Sequence, residues 1–201
     1  MTAEGTGNRD RGIDASQGSS DSRFPIPDSR QSIPDSRFPI PVRLGIGYDS
    51  HRFAPGGPIV LGGCRIPSDV SLVGHSDGDA VAHAITDAIL GAAALGDIGE
   101  MFADTDPEHR GRDSIEMLKH ALARVGGAGW RVNNVDVTVV AERPKVGPHR
   151  DAMRSTLARA LDIDVSAVSV KGKTNEGMGW IGRTEGLACM AIASLVPLDG
   201  S

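Results

Sequence analysis

Gly78-Asp79-Ala80-Val81-Ala82-His83-Ala84-Ile85-Thr86-Asp87-Ala88-Ile89-Leu90-Gly91-Ala92-Ala93-Ala94-Leu95 has the plainest helical period in the chain. Val81, Ile85, Ala88, Ile89 and Ala92 recur at steps of three and four, so residues 78–95 predict an amphipathic helix. Asp79, His83 and Asp87, spaced by four, share the opposite face. In isolation that face reads as a solvated polar stripe. Ser76, with Asp79 three residues on, predicts a capping-box start.

Strand patterns surround this helix. The folded domain begins near Val42, where Leu44, Ile46 and Tyr48 alternate with Gly45 and Gly47. Ile59-Val60-Leu61 before Gly62-Gly63 predicts a hairpin arm. Residues 96–111 are loop-like, with Asp104-Thr105-Asp106-Pro107 either a substrate lid or an acidic solvated turn. Residues 113–125 predict a second helix, and Val135, Val137 and Val139 alternate with Asp136 and Thr138 as in a strand. Pro148 to Leu161 predicts a third helix with proline near its first turn. Val168-Ser169-Val170 reads as a short strand. Leu187 to Val196 is a nearly continuous apolar run, which predicts a strand buried on both sides. The expected fold class is α/β of the α+β type: a mixed sheet with helices packed on one face.

Residues 1–41 differ from the rest. Asp21-Ser22-Arg23-Phe24-Pro25-Ile26-Pro27 recurs unchanged as Asp35-Ser36-Arg37-Phe38-Pro39-Ile40-Pro41. Alternate prolines block helix and deny ladder donors. The expectation is an unfolded or polyproline-like low-complexity tail, either grown by duplication or presenting a docking motif. Residues 42–198 are expected to form a single catalytic domain.

The chain has 201 residues and a formal net charge of -5, which argues against a nucleic-acid partner. It has no 18-residue apolar run and no secretory leader pattern, so neither a membrane span nor export is expected. Acids balance the arginines of the tail, which argues against a plastid-targeted form. Cys64 and Cys189 lack C-x-x-C partners, and a reducing cytoplasm fits them best. Aromatics are only 3% of residues, so a domain of this composition stands to gain by burying more surface in an oligomer.

Asp49-Ser50-His51 gives the polar helix face a second meaning. One residue apart on an extended strand, Asp49 and His51 leave the same side. With His83 they make two imidazoles and a carboxylate, the number and kinds of ligand that catalytic zinc takes while keeping a fourth position open. Two further loops follow strands: Ala141-Glu142-Arg143-Pro144-Lys145 and Lys171-Gly172-Lys173-Thr174-Asn175-Glu176. Lysines and backbone N–H groups in such turns suit phosphate, although neither is a Walker loop and each alone reads as a charged surface turn. Zinc ligands with phosphate loops point to metal-assisted phosphoryl chemistry. A zinc-dependent phosphohydrolase and a non-catalytic trimeric nucleotide-binding scaffold remain alternatives.

Seven segments stand in a characteristic order. They are Gly47-Tyr48-Asp49-Ser50-His51, Gly74-His75-Ser76-Asp77-Gly78-Asp79, Leu95-Gly96-Asp97-Ile98-Gly99, Phe102-Ala103-Asp104-Thr105-Asp106-Pro107, Val135-Asp136-Val137-Thr138, Pro144-Lys145 and Gly182-Arg183-Thr184-Glu185-Gly186. Together, over roughly residues 42–197, the chain resembles the 2-C-methyl-D-erythritol 2,4-cyclodiphosphate synthases of the methylerythritol phosphate route to isoprenoids. The resemblance implies zinc, or another divalent transition metal, on Asp49, His51 and His83. It implies catalytic, transition-state-stabilising roles for His75 and Thr174.

It further implies that Asp49, Ser50, His51, His75 and Ser76 contact substrate and that Asp97, Ile98 and Gly99 meet the sugar alcohol. Phe102, Ala103, Asp104, Thr105 and Asp106 would lie over the substrate. Ala141, Glu142, Arg143, Pro144, Lys145, Val146 and Gly147, with Lys173, Thr174, Asn175 and Glu176, would form the cytidine diphosphate pocket. Glu176 would hold a second ion, magnesium or manganese, and Trp180 and Arg183 would add further contacts. Lys173 and Asn175 stand where the family commonly has threonine, and Trp180 where it commonly has phenylalanine. A homotrimer with active sites between subunits is implied. Nothing in the sequence supports docking to other enzymes of the route.

Overall fold

The structure is a computed structural model, described for residues 41–102 and 111–198. The expectations for residues 1–40 and for Ala103 to Asp106 fall outside the described residues. The elements run β1 (Arg43–Pro55), β2 (Ile59–Leu61), β3 (Cys64–Ile66), β4 (Val70–Leu72), α1 (Ala80–Ala93), α2 (Ile98–Met101), α3 (Ser114–Gly127), β5 (Trp130–Val140), α4 (Arg150–Leu161), β6 (Val168–Lys173), α5 (Gly179–Gly182) and β7 (Gly186–Pro197). Five strands form one sheet in the order β4-β1-β7-β5-β6, and β2 pairs with β3 in a separate hairpin. β7 is antiparallel to both neighbours, whereas β5 and β6 run parallel. The sheet is therefore mixed, as expected.

The inner layer explains why β1 carries glycines. A Cβ on Gly45 would stand 2.0 Å from the Ala88 carbonyl oxygen, and one on Gly47 would stand 1.9 Å from that of Ala84. The glycines of β1 and the alanines of α1 thus let the two backbones approach closely. α1 is buried almost all round, and Ile85 and Ile89 have no exposed surface. Each such side chain contributes about 1.5–3 kcal/mol of hydrophobic stabilisation. Val135, Val137 and Val139 of β5, Val168 and Val170 of β6, and Leu187, Ala191, Ala193 and Leu195 of β7 complete the core with α3 and α4.

Four expectations need correction. Within the stretch 96–111 expected to be loop, Ile98–Met101 form the single-turn helix α2, capped by Asp97. The capping box is absent: Asp79 is itself the N-cap of α1, its carboxylate accepting from the Val81 and Ala82 N–H groups. Nor is Asp79 on a solvated stripe, because it is fully buried. Finally, β7 is not covered on both sides within the chain. Met190 and Ile192 are 43% and 50% exposed, and beside them on β1 Leu44, Ile46 and Tyr48 are 71%, 71% and 56% exposed. Pairing of Ile46 with Ile192 and of Tyr48 with Met190 joins these residues into one apolar face. Among the described residues, no helix is long and apolar enough to cross a membrane.

Candidate metal and substrate site

The middle of β1 and the first turn of α1 bring the three expected ligands together. Asp49 Oδ2 lies 2.8 Å from His51 Nε2 and 3.0 Å from His83 Nδ1, and the two ring nitrogens are 3.3 Å apart. Ligands about 2.0–2.2 Å from a tetrahedral ion stand roughly 3.3 Å from one another. The donor set and its spacing therefore fit a divalent cation after slight outward relaxation. Each ring is also held from behind. His51 Nδ1 meets the Val73 carbonyl at 2.7 Å, and His83 Nε2 meets Ser114 Oγ at 2.9 Å and Ser76 Oγ at 3.0 Å.

The electrostatics follow from this crowding. Burial pushes Asp49 up, but hydrogen bonds and charge from His51 and His83 more than reverse it, holding the carboxyl well below the usual range. Burial alone would lower His51; Asp49 and the Val73 carbonyl carry it above the ordinary imidazole value.

These ligands open into a cavity of about 540 Å³ also lined by His75, Ser76, Ile98, Gly99, Phe102 and Met117. The wall at α2 is fixed by two carboxylates. Asp97 caps α2 by accepting from Glu100 N–H, and Asp87 accepts from Ile98 N–H, each at 2.8 Å. Burial raises the Asp87 carboxyl, with the Ile98 N–H opposing and the charges of Asp97 and Asp49 adding to it.

The two lysine-bearing loops build a separate cavity of about 320 Å³ around Ala141, Pro144, Lys145, Val146, Gly147, Lys173 and Thr174. No residue lines both cavities. Glu142 knits the two loops together, its Oε1 accepting from Asn175 N–H at 3.0 Å and Gly177 N–H at 3.2 Å. Thr174 donates to Glu176 Oε1 at 2.7 Å, and Asn175 donates from its side chain to the Met178 carbonyl. Arg143 instead pairs with Asp69 at 3.0 Å. Ser50 and Trp180 line a third cavity with Arg52 and Glu185, and Arg183 is paired with Glu185.

Four contributors were missed in the sequence: Asp77, Asp87, Ser114 and the Val73 carbonyl. Asp77 lay inside a noted motif and Asp87 on the noted polar helix face, but neither was given a role. Ser114 follows Asp113, the N-cap of α3, but no local spacing links residue 114 to residue 83.

A sheet-and-helix domain with a two-histidine, one-carboxylate pocket, and lysine-bearing loops around a separate cavity, fits a metal-assisted phosphoryl-transfer class. Residues 42–196 match the YgbB family model, and the chain belongs to that family. It is 60% identical over 160 residues to a 2-C-methyl-D-erythritol 2,4-cyclodiphosphate synthase of Gemmatimonas aurantiaca, covering 80% of this chain and 96% of that protein. The corresponding synthase of Chromobacterium violaceum is 56% identical over 153 residues, covering 76% and 97%. Among solved structures, the bifunctional IspDF of Campylobacter jejuni aligns with a TM-score of 0.77 at 42% identity, covering 80% of this chain and 43% of that one. A CDP complex of IspF from Plasmodium falciparum aligns at 0.70 with 34% identity, covering 80% and 99%.

Proposed function

We infer that the chain converts 4-diphosphocytidyl-2-C-methyl-D-erythritol 2-phosphate into 2-C-methyl-D-erythritol 2,4-cyclodiphosphate and CMP, within the methylerythritol phosphate route. It is a phosphorus–oxygen lyase acting by intramolecular phosphoryl transfer. The observation that carries this reading is the convergence of Asp49, His51 and His83 at the mouth of a cavity, in a chain 60% identical to a synthase of that name.

The chemistry suits the residues. An oxygen of the 2-phosphate forms a bond to the β-phosphorus, and the bond from that phosphorus to the bridging oxygen breaks, so CMP departs with that oxygen. The nucleophile is already anionic, so alignment and charge neutralisation matter more than a strong base. A zinc ion held by Asp49, His51 and His83 supplies Lewis-acid neutralisation of phosphate charge when bound. His75 and Ser76 hold the phosphate by hydrogen bonds, and Ile98 and Gly99 pack the sugar alcohol. Lys145, Lys173 and Thr174 grip the cytidine diphosphate part, and Glu176 serves a second ion, magnesium or manganese.

The assembly proposed is a homotrimer whose sites lie between subunits. Two observations support it: the two half-sites line different cavities, and the sheet has an uncovered apolar face. The proposed setting is the bacterial cytoplasm, in keeping with the bacterial relatives and the free thiols of Cys64 and Cys189. Phosphorus NMR of the protein with the cytidine diphosphate substrate tests the reaction. A cyclic diphosphate with CMP is expected; release of inorganic phosphate would make the protein a phosphohydrolase instead.

A further inference from the structure

We propose that Ser114 and Asp77 are positioning residues that anchor the His83 ring through Nε2, and so decide how tightly the site takes a divalent cation. His83 faces Asp49 and His51 through Nδ1 and meets two hydroxyl oxygens through Nε2. A hydroxyl can donate or accept, so those contacts alone leave the ring proton undecided. Asp77 decides it. Its carboxylate can only accept, and Ser114 Oγ donates to Asp77 Oδ1 in a short hydrogen bond. Ser114 N–H points to the second oxygen, Oδ2, at 3.3 Å.

The single hydroxyl proton of Ser114 is thereby committed, and only lone pairs remain for its other neighbours. Ser76 Oγ, 3.2 Å from Ser114 Oγ and accepting from Gly78 N–H, is free to donate into one of them. When a cation takes Nδ1, the ring hydrogen is on Nε2, and Ser114 Oγ at 2.9 Å can only accept it. Nδ1, 3.0 Å from Asp49 Oδ2, then presents its lone pair to the cation. His51 reaches the same end by a simpler route, its Nδ1 donating to the Val73 carbonyl.

The relay also explains two features that packing does not. Ser114 has no exposed surface, and a buried hydroxyl needs partners to offset its desolvation. The Asp77 N–H bonds to the Arg112 carbonyl, and Gly111 N–H bonds to that of His75, so the loop before α1 is laced to the start of α3. Among the described residues, α3 meets the metal site through Ser114 and Met117. Second-layer partners of metal-bound imidazoles typically govern affinity by about 10–100-fold.

The inference rests on the metal reading of Asp49, His51 and His83. The test titrates zinc against a competing chelator in wild type, Ser114→Ala and Asp77→Ala. In parallel, imidazole nitrogen NMR follows the zinc-loaded proteins. Wild type is expected to bind zinc and to show a hydrogen-bonded His83 Nε2–H signal. Both variants should bind about 10–100-fold more weakly and show that signal shifted or broadened, with melting curves confirming a folded protein. Asp77→Ala keeps the Ser114 hydroxyl but frees its proton, so it carries the comparison alone should Ser114→Ala unfold. Unchanged affinity and an unchanged His83 spectrum in a folded variant would overturn the inference while leaving the metal reading intact. Absence of zinc binding in wild type would sink both.

Discussion

Asp79 has no exposed surface, and its carboxylate is enclosed by four backbone N–H groups. Oδ1 accepts from Gly62, Val81 and Ala82 at 2.8, 3.1 and 3.1 Å, and Oδ2 from Gly63 at 2.6 Å. Burial drives the acid up, and the donors from Gly63, Ala82 and Gly62 oppose that. This one side chain caps α1 and pins the β2–β3 turn to it. Asp79→Ala removes the cap and strands donors inside the protein, so a loss of about 3 kcal/mol is expected in urea melts. A change below about 1 kcal/mol would mean that water replaces the carboxylate. The ligands differ in kind from this scaffold residue. His83→Ala should lose tightly held zinc and nearly all cyclisation, whereas His75→Ala should keep zinc and lose rate. Metal analysis separates the two; zinc retained in full by His83→Ala, or missing from His75→Ala, contradicts the assignment.

At the scale of elements, the pairing of β1 with α1 sets the distance between the candidate ligands. Asp49 and His51 ride on the strand and His83 on the helix, and the glycine–alanine seam sets how closely the two approach. Gly47→Ala puts a methyl group into the Ala84 carbonyl and must push the helix outward. Overpacking of this kind costs about 1–3 kcal/mol. The displacement also carries His83 away from Asp49, so zinc affinity should fall along with the melting temperature. A destabilised Gly47→Ala protein with unaltered zinc affinity would show that the seam serves stability alone.

The same seam shows what local pattern could and could not reveal. The alternation of Leu44, Ile46 and Tyr48 with glycines marked a strand, and the three-and-four spacing of α1 marked a helix. Both follow from side-chain geometry within one element. The facing of β1 was illegible, because in this strand glycines rather than large apolar residues turn toward the core. The ligand triad was legible because a one-residue strand spacing and a histidine on a helix suffice to suggest it. Ser114 was not, since only tertiary packing brings α3 to His83.

For the whole molecule, an apolar sheet face of Leu44, Ile46, Tyr48, Met190 and Ile192 is a surface that water disfavours and a ring of subunits would cover. In such a ring each contact is heterologous, so one subunit offers its metal half and the next its nucleotide half. Consider two variants, His83→Ala in the metal half and Thr174→Ala in the nucleotide half. Each pure assembly should be nearly inactive. Unfolded and refolded together in equal amounts, they would place an intact metal half beside an intact nucleotide half by chance. Random assembly gives one half times one half, or about a quarter of sites. Turnover near that fraction of wild type would support sites shared between subunits. If subunit mixing is proven by mass and no activity returns, each chain must hold both halves of its own site, and the shared-site trimer would have to be abandoned.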